Sequence, residues 1–148
     1  MEAIIFCGAP GAGKSTFFKE KFFDTHVRIS LDLLRTRKRE RLFLETALKA
    51  GQRLVVDNTN PAAETRRIYI EAAKAARFRV VGYHFTAGFE EALARNSRRA
   101  GRARVPEAAL KSFLARLERP RLSEGFDRLY RVAVINSQWV ISEDSDEI

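Results

Sequence analysis

The sequence predicts an α/β domain in which a parallel sheet of about five strands is covered by helices on both faces. Two observations carry this. Short runs rich in β-branched residues alternate with longer stretches of helical spacing, and the first run leads at once into a glycine-rich segment that opens the first helix. Each parallel neighbour needs a crossover connection, so strand-helix alternation is the pattern of a parallel sheet, and such sheets bind ligands beyond the carboxyl ends of their strands. At 148 residues, 45% of them apolar, the chain fills one sizeable core.

The strands fall at 3–7, 27–30, 54–56, 80–85 and 129–134. Each is short, apolar and bounded by polar or turn-forming residues, as strands buried on both faces are. Helical spacing covers 14–23, 31–49, 62–76, 89–99 and 106–117. Phe17, Phe18, Phe22 and Phe23 on the first helix are assigned to packing rather than to stacking on bases. His26 and His84 show no spacing to acids or cysteines that suggests metal or nucleophile chemistry, and each is given a core or surface role. Cys7 is the only cysteine, so no internal disulfide is possible, and its apolar run makes it a buried thiol. The stretch 136–140 lies either near a bound base or, through Trp139, on the sheet.

The formal net charge is +8, but Glu143, Asp144, Asp146 and Glu147 all follow the last basic residue, Arg131. Without them the body carries 27 basic and 15 acidic residues, a balance that attracts polyanions but also suits nucleotide binding or simple solubility. The last residues, 142–148, read as an acidic, disordered tail. No apolar run approaches the roughly 18 residues of a membrane span, and the expectation is a cytoplasmic protein with no membrane partner.

Gly8-Ala9-Pro10-Gly11-Ala12-Gly13-Lys14-Ser15 fits G-x-x-x-x-G-K-[ST] at every fixed position and is followed by Thr16. Glycines let the backbone curl round a phosphate with several N–H groups pointing inward, and the next helix turns its positive end to the same anion. Lys14 then reaches the β- and γ-phosphates, and the Ser15 hydroxyl binds Mg²⁺. The expected cofactors are ATP or another NTP with Mg²⁺. Residues 1–141 accordingly read as a P-loop kinase domain, with the P-loop NTPase fold of the adenylate-kinase-like kinase type.

Three further segments point to an acceptor. Asp32 closes the second strand with Arg35 one helical turn later; the carboxylate suits a base for an acceptor hydroxyl and the guanidinium suits an acceptor phosphate. The plainer reading is that Asp32 caps the helix and Arg35 pairs with it. Asp57 ends the third strand in Val56-Asp57-Asn58-Thr59-Asn60-Pro61, as a magnesium-site carboxylate does, working through metal-bound water or by orienting Arg35; beside it, Asn60 is expected to cap a helix opened by Pro61. Arg95, Arg98, Arg99, Arg102 and Arg104 crowd round Gly101 and read as a mobile lid, with Arg95 and Arg99 on one helix face; the alternative is a solvated basic helix end.

Together the P-loop, the Asp32–Arg35 pair, the 56–61 segment, Arg95-Asn96-Ser97-Arg98-Arg99, Val105-Pro106 and Glu124-Gly125-Phe126-Asp127 resemble, in order, the 5′-kinase module of polynucleotide kinases. The resemblance covers residues 1 to about 134. It implies an ATP-dependent kinase that phosphorylates the 5′-hydroxyl end of DNA or RNA. Lys14 and Ser15 would bind phosphate and metal, Asp32 would be the general base, Arg35 would contact the acceptor phosphate, Asp57 would serve the metal, and Arg95 and Arg99 would work from the lid, Arg99 in catalysis. Leu31 and Leu33 depart from the phage enzyme, which has an arginine and a second acid there, and the Asp-x-Asp-Gly-Thr signature of the attached phosphatase is absent. The alternatives are a small-molecule kinase of the gluconate, nucleotide or zeta-toxin kind, and a nucleic-acid-binding ATPase or inactive NTP-binding module.

Overall fold

The computed structural model describes residues 1–87 and 106–144. The expected helix at 89–99 and the lid arginines Arg95, Arg98, Arg99, Arg102 and Arg104 lie outside them, as do residues 145–148.

In chain order the elements are β1 (Glu2–Cys7), α1 (Lys14–Lys21), β2 (Val27–Ile29), α2 (Leu31–Leu34), α3 (Arg37–Ala50), β3 (Leu54–Val56), α4 (Ala63–Ala75), β4 (Arg79–Phe85), α5 (Glu107–Arg116), a 3₁₀ turn (Leu122–Glu124), β5 (Arg128–Ile135) and β6 (Gln138–Glu143). The sheet runs β2-β3-β1-β4-β5-β6. The first five strands are parallel and β6 pairs antiparallel to β5. The glycine-rich loop thus leaves a central strand, at the carboxyl edge where the chain turns to either side of β1.

Alternation along the strands gives the sheet two cores. Ala3 and Ile5 of β1 face one way with Leu54, Val56, Tyr69, Ile70 and Ala73, under α3 and α4. Ile4 and Phe6 face the other way with Phe17, Phe18, Val81, Leu110 and Phe113, under α1 and α5. Both faces are dry, which is why the strands read as continuous apolar runs. Cys7 is buried, and burial pushes its thiol up to about 11, as an inert core thiol requires.

Four expectations are corrected here. The helix expected at 31–49 is two helices, because Arg35 adopts φ 77° and Thr36 restarts the chain by accepting a bond from Arg39 N at 3.1 Å. Asn60 does not cap α4: its Nδ2 donates to Phe6 O at 2.8 Å, and Ala62 stands at the cap position with no side-chain bond. Phe23 does not pack, being 68% exposed, whereas Phe17 and Phe18 do.

The fourth concerns the chain end. Asn136 and Ser137, at φ 52° and 61°, make a two-residue hairpin of the twist that antiparallel strands favour, and β6 carries the chain back to Asp144. Ser142 and Glu143 are therefore strand residues rather than a disordered tail. Asp144 is buried and accepts from Arg119 at 2.5 Å and Arg131 at 3.1 Å. Burial pushes its carboxyl up, but bonds and charge from the two guanidinium groups outweigh that and hold it below the usual carboxylate range.

Candidate active site

The loop that leaves β1 is fixed by contact as much as by flexibility. A Cβ on Gly8 would lie 2.7 Å from Phe85 Cβ, and Gly8 N donates to Thr59 O at 3.0 Å, tying the loop to the segment after β3. Gly13 caps α1 with φ 97°, a left-handed conformation open mainly to glycine, and a Cβ there would meet the Trp139 ring at 2.9 Å. Lys14 is buried at 8% exposure, and its Nζ donates to Gly8 O and Ala9 O, both at 2.9 Å. A buried ammonium, a ring of backbone and a helix N-terminus meet within a few residues, the arrangement that cradles a phosphate. Pro10 and Ala12 lie in the same loop, and Thr16 stands in the first turn of α1.

Ser15 and Asp57, expected to share a metal, do meet: Ser15 Oγ donates to Asp57 Oδ2 at 3.1 Å. Ser15 comes from the first turn of α1 and Asp57 from the end of β3, which pairs with β1 in the sheet. Among the described residues no three His, Cys, Asp or Glu side chains cluster as a metal site. A hydroxyl and one carboxylate suit Mg²⁺, which takes one or two protein oxygens and fills its shell with phosphate oxygens and water. The residues therefore fit that ion. The expectation that Asp57 orients Arg35 is corrected: its guanidinium partner is Arg28, whose Nε donates to Asp57 Oδ2 at 2.8 Å. Nothing in the sequence pattern had singled out Arg28.

Asp32 stands in the first turn of α2 and is exposed. It does not cap that helix. Ser30 does, accepting from Leu33 N at 3.4 Å, and among the described residues no ion pair joins Asp32 to Arg35. Asp32 lines a cleft of about 270 Å³ with Asn58, Thr59 and Asn60, beside two guanidinium groups not anticipated there, Arg37 and Arg116. Arg35 is exposed and held at φ 77°, ψ −37°, sparsely populated for a residue with a side chain.

A buried network supports this edge. Asn58 Oδ1 accepts from Leu31 N at 2.8 Å, fixing the residue before Asp32, and Asn58 Nδ2 donates to Glu40 Oε2 at 2.7 Å. Tyr69 Oη donates to Glu40 Oε1 at 2.7 Å, and burial followed by the Glu40 carboxylate pushes the phenol up to about 12. Arg66, wholly buried, forks onto Glu124 at 2.9 and 3.0 Å and donates to the carbonyls of Asn60, Pro61 and Glu118. It locks the end of α5 to the segment bearing Asp57. The buried partners lie far apart in sequence, so helical and strand spacing gave no signal for them.

A model of the AAA domain family matches residues 4–120, which span the loop, Asp32, Asp57 and α5. The chain belongs to that family. Within it, the fold is that of the P-loop kinases. A bifunctional polynucleotide phosphatase/kinase of Schizosaccharomyces pombe is 30% identical over 135 residues, which are 88% of this chain and 33% of that protein. The chain spans a third or less of the length of the curated relatives it matches. Among solved structures, Kti12 of Chaetomium thermophilum in complex with ADP-AlF3 superposes with a TM-score of 0.66 at 21% identity, covering 88% of each chain. A gluconokinase of Sinorhizobium meliloti gives 0.63 at 21% identity, covering 89% of this chain and 82% of that one. These two likenesses establish the fold.

Proposed function

We propose that this domain transfers the γ-phosphate of ATP, or another NTP, to the 5′-hydroxyl end of DNA or RNA with Mg²⁺. The observation that carries the reading is the adjacency of two differently built sites: a phosphate cradle holding Lys14 and Ser15, and a cleft where a carboxylate, Asp32, stands among cationic side chains. The polynucleotide phosphatase/kinase relative supports the choice of acceptor.

In this reading the backbone of residues 8–16 and the Lys14 ammonium bind the β- and γ-phosphates. Ser15 and Asp57 hold the metal, which when bound neutralises charge between those phosphates. Asp32 takes the proton of the incoming hydroxyl, a role that suits an exposed carboxylate, in no ion pair among the described residues, on a short helix pinned by Asn58. Arg35 binds an acceptor phosphate. Arg95 and Arg99 remain proposed lid groups, with Arg99 stabilising charge that develops during transfer. A cytoplasmic location goes with this reading, and among the described residues no helix is long and apolar enough to cross a membrane.

The test is labelled ATP incubated with a 5′-hydroxyl oligonucleotide, with a panel of small hydroxyl compounds, or with no acceptor, separated by thin-layer chromatography. Label should move to the oligonucleotide. Label in a small compound, or in free phosphate at an equal rate in all arms, would replace the reading with a small-molecule kinase or an ATPase.

A further inference from the structure

Among the described residues, Arg28 is a cation placed directly on the proposed metal ligands. From β2 it spans both: Nε donates to Asp57 Oδ2 at 2.8 Å and Nη2 donates to Ser15 Oγ at 3.0 Å, while Ser15 Oγ itself donates to the same carboxylate oxygen. The three groups close a ring of hydrogen bonds. The Asp57 side chain is 2% exposed and that of Arg28 29%, so the charges meet largely out of water, where they are weakly screened.

These two oxygens are the ones a divalent cation would use. A guanidinium cannot shed its proton to make room, because it stays charged throughout the accessible pH range. Metal and guanidinium therefore compete for the same lone pairs and repel one another at close range. The same positive fork, lying beside the Lys14 cradle, also offers donors to a phosphate.

We infer that Arg28 is a positioning residue that mimics the metal: it occupies the Ser15–Asp57 pair, opposes Mg²⁺ there, and so sets how strongly nucleotide binding depends on Mg²⁺. The inference rests on the nucleotide-binding part of the proposed function and not on the identity of the acceptor. Removing the fork raises affinity for the metal–nucleotide complex and lowers affinity for the nucleotide alone. Both changes widen the ratio between the two.

Trp139 is the only tryptophan and its ring lies against Gly13, which makes its fluorescence a reporter of the loop. The experiment titrates ADP into the protein in EDTA and in excess Mg²⁺ and takes the ratio of the two dissociation constants as the coupling. Arg28→Gln should raise that ratio about tenfold, of the order expected when a close cation is removed from a partly buried site. Arg28→Lys keeps a charge but loses the fork and should give a smaller rise. If Arg28→Gln does not fold, as judged by its melting curve, Arg28→Lys alone decides. A ratio that stays at the wild-type value while both affinities shift together, or that falls, assigns Arg28 a merely structural role and overturns the inference. A wild-type protein that binds ADP under neither condition would instead remove the nucleotide reading itself, and the inference with it.

Discussion

The phosphate cradle is assembled from one short stretch of chain on a central strand, with Gly8, Gly13 and Lys14 all buried. The proposed acceptor cleft gathers Asp32 from α2, Asn58–Asn60 from the β3–α4 connection, Arg37 from α3 and Arg116 from α5, and its Asp32, Arg37 and Arg116 are exposed. The cradle is thus preorganised by its own backbone. The cleft depends on a relay, Glu40 to Asn58 to Leu31, that stands behind it. The halves meet where Gly8 N donates to Thr59 O, whereas the relay side chains Glu40 and Asn58 bond to Tyr69, Arg37 and Leu31. The contrast teaches that the cleft can be perturbed through them with the loop left in place.

The sharpest division should come from Asp32→Asn. Nucleotide affinity should stay near wild type while phosphoryl transfer falls about 10²- to 10⁴-fold, the range for a lost general base. Single-turnover transfer at saturating substrates, set beside ADP titration, checks it. Near-normal transfer would deny Asp32 its role.

Glu40→Ala tests the relay. It removes the acceptor of Tyr69 Oη and the nearer of the two acceptors of Asn58 Nδ2, so the domain should lose about 2–4 kcal/mol of stability in urea denaturation. In protein that remains folded, the acceptor KM should rise about tenfold, from lost alignment of α2, with ADP affinity unchanged. Equal losses for both substrates would erase the distinction between the halves.

Acid should act behind the cradle. His84, beside Cys7 in the β4–β1 register, is buried, and desolvation pushes its imidazole down to about 4, with Arg66, Arg119 and Arg131 acting the same way and Asp144 opposing. The unfolded chain therefore binds the proton more readily than the native one between pH 6.5 and about 4, so native stability is full above 6.5 and declines as pH falls through that window. The shift corresponds to about 3 kcal/mol at its lower end. Asp144, whose pKa is depressed, adds a loss only below its ordinary value of 3.8. Melting temperature against pH should fall less steeply for His84→Gln than for wild type between pH 6.5 and 4.

The smallest effect concerns strain in the acceptor half. Arg35→Gly removes the penalty of φ 77° and should stabilise the domain by about 1 kcal/mol, a rise of a few degrees in Tm, while weakening the acceptor. Unchanged acceptor binding would detach Arg35 from the cleft and leave Arg37 and Arg116 as its cations.

Legibility in the sequence follows the same division. The β1–loop–α1 unit could be read because its chemistry is local: spacing of glycines, one lysine and one serine suffices. The alternation of apolar runs likewise gave the five parallel strands. What was not legible depends on distant residues or on single backbone angles. Arg35 breaks the 31–49 helix through one dihedral, although Thr36, a favoured N-cap residue, is a readable restart. Asn136-Ser137 between β-branched runs is a hairpin signal, yet the acids beyond it read as solvent-seeking, because the partners of buried Asp144, Arg119 and Arg131, lie 25 and 13 residues away. Arg28 looked like any charge on a short strand. Only the sheet order, placing β3 between β2 and β1, brings it to Ser15 and Asp57.

The most direct measurement of the central claim locates the transferred phosphate. An oligonucleotide bearing a 5′-hydroxyl, and the same oligonucleotide already carrying a 5′-phosphate, are incubated with ATP, Mg²⁺ and the domain, and the products are sequenced by fragment mass spectrometry. The account predicts one phosphate gained at the 5′ terminus of the first and none on the second, with both reactions blank for Asp32→Asn on the same timescale. Phosphate gained equally by both oligonucleotides, or by neither while ATP is turned over, would contradict it.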